Sequence, residues 1–250
     1  MKRVIATLLW ATFLVGCGGG SSSGGPPAAA QLNGSWHATL TSKASGGNSP
    51  VDIFILQDGT ALSANRVVLL ATCSNSSTMT GSVSGNTVNM MITGNNGDTV
   101  IITGTASGNN SLSGSYATKT SGCDVNDDMG TLSATLVPSV QSSSWTGGTQ
   151  STRYPPGNTT FTANLTEDSS GNISGVLTFT GSSGSSSSCA SLATGSVTGV
   201  QTGNQMSLSD NEPDGLGVFA TMDNVAKNVS GVYDVSICAG DNGTFTMSRP

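Results

Sequence analysis

Five cysteines and one histidine are the side chains of this chain with the most specific chemistry. A zinc site needs clustered Cys and His ligands, usually in pairs a few residues apart. No Cys-x-x-Cys pair occurs, and His37 is the sole histidine. Neither a zinc site nor a Cys-x-x-Cys redox pair is therefore predicted. Lipid attachment and disulfide formation remain as the chemistry open to the thiols.

Cys17 stands apart from the other four cysteines. It follows the sequence Leu-Val-Gly at 14–16, and Lys2 and Arg3 precede the apolar residues 4–15. An apolar stretch of about a dozen residues is too short for a membrane-spanning helix, which needs ~20. This arrangement resembles the lipobox of bacterial lipoproteins.

The lipoprotein resemblance implies a location and a membrane partner. Residues 1–16 are then a signal peptide, and the thiol of Cys17 carries two acyl chains that anchor the protein in a membrane. Gly18, rather than Asp, favours the outer membrane or the cell surface of the bacterial envelope. Residues 17–31 consist almost entirely of Gly, Ser, Pro and Ala and are predicted to be a flexible tether.

An acidic segment after Cys123 places oxygen ligands at alternate positions. Asp124, Asn126 and Asp128 are followed by a glycine and superficially resemble a calcium loop. The bidentate glutamate and the flanking helices of such a loop are missing. An acidic turn is the preferred interpretation, calcium is the alternative, and no cofactor is predicted.

Titratable residues do not form a recognisable catalytic set. Glycosidase chemistry needs two carboxylates that face one cleft, and Glu167 with Asp168, or Glu212 with Asp214, are better explained as turns. His37 follows Trp36 on an alternating strand and is expected to be solvated. No Gly-x-Ser-x-Gly turn marks a nucleophilic serine. The chain is therefore predicted not to be an enzyme.

Composition narrows the class of protein. Charged residues make up 9% of the chain, the net charge is −6, and there are 34 glycines. Without a basic patch, the folded part is not expected to bind nucleic acid or anionic lipid headgroups. Abundant β-branched residues and turn residues indicate an all-β protein.

The chain contains an internal duplication. Landmarks recur in the same order at an offset of about 110 to 117 residues, and they indicate two domains, 32–138 and 139–250. The paired landmarks are Trp36 and Trp145, Thr-Gly-Ser-Val at 80–83 and 194–197, Tyr116 and Tyr233, and Gly-Thr at 130–131 and 243–244.

The duplication selects one of the three possible pairings of the remaining cysteines. One bridge inside each repeat pairs Cys73 with Cys123 and Cys189 with Cys238. Export to an oxidising compartment is compatible with both bridges. Each would close a loop of about 50 residues, worth ~4 kcal/mol in the chain-entropy model.

Alternating apolar residues and turn signals give about eight short strands in each repeat. Examples are the apolar run 51–57 before the Asp-Gly turn at 58–59, and the Gly-Asn turn at 85–86. Strands joined by tight turns form an antiparallel meander, and closing it into a barrel removes the exposed edges. Two tandem β-barrels are predicted, with β-sandwiches as the alternative.

The first strand and the predicted meander resemble those of a second known family. Gly34-x-Trp36, the eight strands and a Gly-x-Tyr strand ending at Tyr116 are similar to calycin barrels such as lipocalins and avidin-like proteins. That resemblance implies a Trp that plugs one barrel end and a small-molecule cavity at the other. It also implies a basic residue over the Trp, a position that Arg249 could fill in the second repeat.

Aromatic residues are the candidates for ligand or partner contact, although core filling also explains them. The candidates are Trp36, Tyr116, Trp145, Tyr154 and Tyr233. The sequence thus predicts an envelope binding module for a small apolar ligand, a glycan or a protein partner. A structural or adhesive protein without a small ligand is the alternative, and a hydrolase has the least support.

Overall fold

The computed structural model describes residues 28–69, 77–95, 97–119, 127–152, 158–182, 194–210, 215–235 and 241–250. Every helix or strand assigned within these ranges is a β-strand. A search of the same ranges finds no helix that is long and apolar enough to cross a bilayer. The all-β prediction is confirmed.

The first barrel is an antiparallel meander. Its strands are β1 (Gly34–Ser42), β2 (Asn48–Asp58), β3 (Ala61–Ala64), β4 (Val67–Leu69), β5 (Ser77–Ser84), β6 (Thr87–Gly94), β7 (Thr99–Ser107), β8 (Ser111–Lys119) and β9 (Met129–Val137). Both β3 and β4 pair with β2, so the two short strands occupy one position in the sheet. Pairing of β1 with β2 and with β9 closes a ring of eight positions.

The second barrel repeats this arrangement without the interrupted strand. Its strands are β10 (Ser142–Ser151), β11 (Asn158–Glu167), β12 (Asn172–Ser182), β13 (Thr194–Thr202), β14 (Gln205–Ser209), β15 (Leu216–Met222), β16 (Asn228–Val235) and β17 (Asp241–Ser248). Pairing of β10 with β17 closes the barrel. Closure of both rings confirms the barrel prediction over the sandwich alternative.

Inward-facing side chains fill each barrel. On β6, Val88, Met90 and Ile92 are buried, whereas Asn89 and Met91 between them are exposed. Because side chains alternate between the two faces of a strand, one face supplies the core and the other the surface. The buried residues of each barrel form one continuous hydrophobic cluster.

A tryptophan closes one end of each barrel, which we call the Trp end. Nε1 of Trp36 donates a hydrogen bond of 2.8 Å to the carbonyl of Leu32, a residue with no exposed surface. Nε1 of Trp145 donates in the same way to the carbonyl of Val140, at 3.1 Å. Each strand β1 or β10 is therefore preceded by a buried residue that ties the indole in place. The guanidinium of Arg249 lies 5.1 Å from the centre of the Trp145 ring.

The chain is packed against the first barrel before the first strand begins. Ala29 and Ala30 contact its hydrophobic cluster, and the amide of Ala30 donates to the carbonyl of Gly85 at 2.8 Å. The sequence places both alanines in the tether. Their packing means that the chain enters the first barrel at its Trp end.

Strand β2 is buried on both faces. Val51, Ile53 and Ile55 point into the first barrel, whereas Asp52 and Phe54 point outward and are still only 1% and 4% exposed. Outward side chains of a barrel are normally solvated, so these two must be covered by something else. The second barrel covers them.

Two hairpin turns at the Trp end of the second barrel form the joint between the barrels. Arg66 donates to the carbonyl of Ser170 and, at 3.2 Å, to Oδ1 of Asn172. Its guanidinium also lies 5.3 Å from the ring centre of Phe54. Gly171 packs so closely on Phe54 that a Cβ there would lie 2.4 Å from the ring.

A buried carboxylate crosses the same joint. Oδ1 of Asp52 lies 2.8 Å from Nδ1 of His37 and accepts a hydrogen bond of 3.1 Å from the amide of Asn204 in the second barrel. The expectation that His37 is a solvated residue is therefore wrong. It does face away from the core, but its side chain is only 24% exposed and Asp52 pairs with it.

The connection between the barrels is also packed. Val137, at the end of β9, belongs to the hydrophobic cluster of the second barrel, as does Val140. Only residues 138–141 separate β9 from β10. With the side-chain contacts of the joint, this short connection holds the two barrels as one unit.

The structure corrects one detail of the repeat. The Thr-Gly-Ser-Val motifs suggest that Gly195 corresponds to Gly81. A Cβ on Gly81 would meet the carbonyl oxygen of Asn89 at 2.4 Å, and a Cβ on Gly199 would meet that of Ser207 at 1.9 Å. A Cβ on Gly195 would meet nothing within 4 Å. The structural counterpart of Gly81 is therefore Gly199, four residues further along.

Candidate functional site

The two tryptophans proposed as contact residues lie inside the barrels. Trp36 is 1% exposed and Trp145 is not exposed. Each is surrounded by the hydrophobic cluster of its own barrel. The structure therefore assigns both indoles to the core rather than to a surface that a partner could reach.

Tyr116 is also buried, and its hydroxyl group has a partner. It donates a hydrogen bond of 2.6 Å to Oδ2 of Asp128, whose Oδ1 accepts from the hydroxyl of Ser42 at 2.9 Å. Burial, followed by the hydrogen bond to the carboxylate, raises the pKa of Tyr116 to about 12. The same hydrogen bond is the main reason why the pKa of Asp128 is lowered. These three residues connect β8, β9 and β1.

The second barrel carries the same cluster. The hydroxyl of Tyr233 donates to Oδ2 of Asp241 at 3.0 Å, and the hydroxyl of Ser151 donates to Oδ1 of the same carboxylate at 2.5 Å. Burial and the carboxylate raise the pKa of Tyr233 to about 12. Tyr116 and Tyr233 are therefore structural residues, which tie three strands together at the barrel end opposite the Trp end. We call that end the loop end.

A glycine accompanies each tyrosine. A Cβ on Gly130 would lie 2.8 Å from Cε1 of Tyr116, and a Cβ on Gly243 would lie 2.8 Å from Cε1 of Tyr233. The same Cβ atoms would be 1.9 Å from a backbone carbonyl of the neighbouring strand. The repeated Gly-Thr motif is thus explained by close packing beneath a tyrosine ring.

The calcium candidate is only partly within the described structure. Asp124 and Asn126 lie outside the described residues, and both oxygens of Asp128 already accept hydrogen bonds. Within the described ranges, no three His, Cys, Asp or Glu side chains are grouped closely enough to hold a metal ion. A calcium ion would have to compete with Tyr116 and Ser42 for Asp128, and both the acidic turn and the calcium alternative stay predictions.

Several predicted residues lie outside the described residues altogether. They are Cys17, Cys73, Cys123, Cys189, Cys238, Tyr154, Glu212 and Asp214. The lipid, the disulfides and the exposed tyrosine loop stay predictions. Glu167 is within the described part, where its Oε2 accepts from the hydroxyl of Ser139 and the amide of Val140. Burial raises the pKa of Glu167, so this carboxylate is a packing residue rather than a solvated turn.

The outer wall of the first barrel carries a row of apolar residues that the sequence analysis missed. Met91, Ile101 and Met129 are 44%, 51% and 59% exposed. Met91 pairs with Ile101, Ile101 with Ala117, and Ala117 with Met129 across β6 to β9. We call these four residues the apolar row.

The surroundings of the apolar row are hydrophilic. The outward positions on the Trp-end side of the row are Thr, Ser and Asn, among them Asn89, Thr103, Ser115 and Thr131. A groove of about 560 Å³ runs over the wall from Lys43 past Met129 to Ile101. A cluster of exposed apolar side chains on an otherwise polar wall is a typical feature of a protein interaction site.

The second barrel displays a smaller apolar pair. Phe219 on β15 and Val232 on β16 are direct cross-strand neighbours and are 65% and 56% exposed. Their neighbours in the same row are the polar residues Ser207 and Thr244. Each barrel therefore shows apolar side chains on corresponding strands, but the cluster of the first barrel is the larger one.

Comparisons with known proteins identify no family. No family model and no curated protein match the chain. Among solved structures, a protein of unknown function from the DUF3598 family of Nostoc punctiforme PCC 73102 is 11% identical, with a TM-score of 0.23, over 87% of this chain and 96% of that chain.

Two further solved structures are transferrin-binding proteins. Intact Ap-TbpB, with N and C lobes, is 13% identical over 86% of this chain and 45% of its own, with a TM-score of 0.23. A mutant of the vaccine antigen transferrin binding protein B from Haemophilus parasuis Hp5 is 12% identical over 85% and 44%, with a TM-score of 0.21. This chain spans less than half of either protein. Similarity at this level assigns neither a family nor a function.

Proposed function

We propose that this chain is a lipid-anchored, non-catalytic binding protein of the bacterial cell envelope that binds a protein partner on the outer wall of its barrels. The observation that carries the proposal is the combination of tightly clustered inward side chains, among the described residues of both barrels, with the exposed apolar row. A small apolar ligand needs a cavity lined by apolar side chains. In the described part of both barrels, those side chains pack against one another.

Membrane attachment rests on Cys17 and on where the chain enters the fold. Ala30 is bound beside Gly85 at the Trp end of the first barrel. Ten residues, 18–27, then separate the lipidated cysteine from the first described residue. A Gly- and Ser-rich segment of that length has an average span of roughly 16–19 Å, which is enough to lift a barrel off the bilayer.

The folded domains, 32–138 and 139–250, each carry one proposed disulfide. In a meander, successive connections alternate between the two barrel ends. The strand ends that flank Cys73 and those that flank Cys123 therefore both lie at the loop end of the first barrel. The strands that flank Cys189 and Cys238 have the same relation in the second barrel. This placement supports one bridge across each loop end.

Photocrosslinking in intact cells tests the binding role. A photoreactive amino acid at Ile101 should form an adduct with a protein, whereas the same amino acid at Thr105, two rows away on the same strand, should not. Denaturing and native mass spectra of the purified protein should show no bound small molecule. A co-purified apolar molecule would contradict the proposal, and the absence of any adduct would favour the structural alternative.

The membrane anchor is tested in the same cells. Cys17→Ala should abolish acylation and membrane retention.

A further inference from the structure

The apolar row needs an occupant, and we propose that it is the apolar row of a second copy of this chain. This inference rests on the proposed function, because it names the protein partner of that outer wall. The two copies would pack β6 to β9 face to face. Two sheets commonly pack in this way with their strands roughly aligned.

The order of residues in the row suits a two-fold axis. The row reads Met91, Ile101, Ala117, Met129 across four consecutive strands. An axis parallel to the strands, between β7 and β8, places Ile101 of one copy opposite Ala117 of the other. It also places Met91 opposite Met129. A large side chain then meets a small one at the centre, and flexible methionines adapt at the margins. Such an interface is isologous and closes as a dimer.

The size of the wall is compatible with a dimer that forms and dissociates. Four strand positions at about 4.8 Å and nine residues at about 3.3 Å give a wall of about 19 by 30 Å, or at most about 570 Å² per copy. A standard stable interface buries about 800 Å² per partner. A curved barrel uses only part of its wall, so we expect a weak dimer. Anchoring of both copies in one membrane would raise their effective concentration.

The charges beside the row do not select a strongly charged partner. Lys43 and Lys119 are exposed next to the row, but Asp98 and Asp127 lie near the same loop end. An anionic membrane or a nucleic acid would meet both signs of charge. A second copy carries the same two positive and two negative side chains near its row. Two copies that pack row to row therefore bring together surfaces of mixed charge rather than two surfaces of one sign.

The tether is also unsuited to cover the row. Residues 18–27 contain only Gly, Ser and Pro, so no large apolar side chain is available from this segment. It joins the first barrel near Gly85 at the Trp end, whereas Met129 begins β9 at the loop end. Residues 18–27 are therefore not the occupant, which we take to be a second copy.

Sedimentation of the mature chain without its lipid, exported so that its disulfides can form, measures the association. The wild type should show a monomer–dimer equilibrium. Ile101→Ser and Met129→Ser should each raise the dimer dissociation constant at least about tenfold. Phe219→Ser is the matched control on the second barrel and should leave the constant unchanged. An equal loss in all three variants would show a head-to-tail contact and overturn the two-fold dimer, as would a wild type that stays monomeric.

Thiol crosslinking of the full-length protein with a bismaleimide tests the geometry, because facing sheets lie about 10 Å apart, beyond the reach of a disulfide. The double variant Met91→Cys/Met129→Cys should give a crosslinked dimer, because the two positions face each other across the axis. A link between the two thiols of one copy would leave the chain monomeric and is distinguished by its mass. Met91→Cys alone should give none. Dimers from the single variant would exclude this axis. A heterologous photoadduct at Ile101 without any dimer would overturn the self-association and leave the proposed function intact.

Discussion

Tyr116→Phe removes a single oxygen and tests whether the tyrosine–aspartate–serine cluster stabilises the barrel. The lost hydrogen bond, 2.6 Å to Asp128, has a charged acceptor and would be worth about 1.5–3 kcal/mol if it were fully buried. Asp128 is half-exposed and is able to bind water in the variant. We therefore expect the free energy of unfolding at pH 7 to fall by about 1–2 kcal/mol.

The pH dependence of this effect follows from the pKa of Tyr116. The pKa is about 12 in the folded protein and about 10 in the unfolded chain, so the folded state holds its proton more tightly. The stabilisation is fully present below pH 10 and is lost as the pH rises from about 10 to about 12. The full difference corresponds to about 2.7 kcal/mol, and solvent at the loop end should reduce the measurable part to about 1–2 kcal/mol.

Urea unfolding at pH 7 and at several pH values between about 9 and about 11.5 measures this loss in the free energy of unfolding. The protein used carries Tyr154→Phe. In that background Tyr116 and Tyr233 are the only tyrosines, and absorbance of tyrosinate reports their titration. Tyr233→Phe should repeat the result in the second barrel. A double-mutant cycle of Tyr116→Phe with Asp128→Asn should show coupling. Titration of Tyr116 near pH 10, or a Tyr116→Phe variant with unchanged stability, would refute the structural role of the cluster.

Three further perturbations test the packing, the joint and the disulfides. Gly130→Ala should cost about 2–3 kcal/mol, because its Cβ would be 1.9 Å from a strand carbonyl; Gly195→Ala has open space and should be nearly neutral in the same urea titration. Asp52→Ala should cost about 1–3 kcal/mol, because it leaves the half-buried amide of Asn204 in the second barrel without an acceptor; unchanged unfolding would remove the carboxylate from the joint. Cys73→Ser should expose one reactive thiol, that of Cys123, and lower stability by about 3–4 kcal/mol. No new thiol in a labelling assay would reject this pairing.

The joint and the apolar row lie on different parts of the surface of the first barrel. The turns of the second barrel cover Asp52 and Phe54 on β2 of the first barrel, while the apolar row lies on β6 to β9 of the first barrel. Strand β6 lies three positions from β2 in one direction around the ring and five in the other, whereas β9 lies only two positions from β2. Met129, however, begins β9 at the loop end, six residues before Thr135, which pairs with His37 of the joint. Among the described residues, the packing of the two barrels therefore leaves the row uncovered.

Particular elements show how much of the fold the sequence predicts. The alternation of β6 and the turn at Gly85 depend on residues that are close together in the chain, and both are as predicted. The tryptophan plugs and the position of Arg249 follow from the resemblance to calycin barrels, and the structure shows the corresponding contacts. The repeat is visible in the sequence, but the Gly81 pairing was wrong because the strands and turns of the two copies differ in length.

The missed features all depend on contacts between distant residues. Phe54 belongs to an apolar run in the sequence, and only the second barrel explains why it is buried on the outer face. The sequence predicts that His37 and Glu167 are solvated, because their partners are not neighbours in the chain. Ser42, Tyr116 and Asp128 have the counterparts Ser151, Tyr233 and Asp241 in the second repeat. This repetition indicates a shared feature, but the side-chain hydrogen bonds cannot be inferred from it.

The sequence by itself determined the all-β class, the two repeats, and strands short and regular enough to close; the signal peptide and the lipid-acceptor cysteine stay predictions. These properties are encoded locally, by hydrophobic alternation, turn residues and composition. The tertiary structure alone decided which outward residues are covered and which remain exposed. Met91, Ile101 and Met129 lie far apart in the chain and become one surface only when barrel closure fixes the register of four strands.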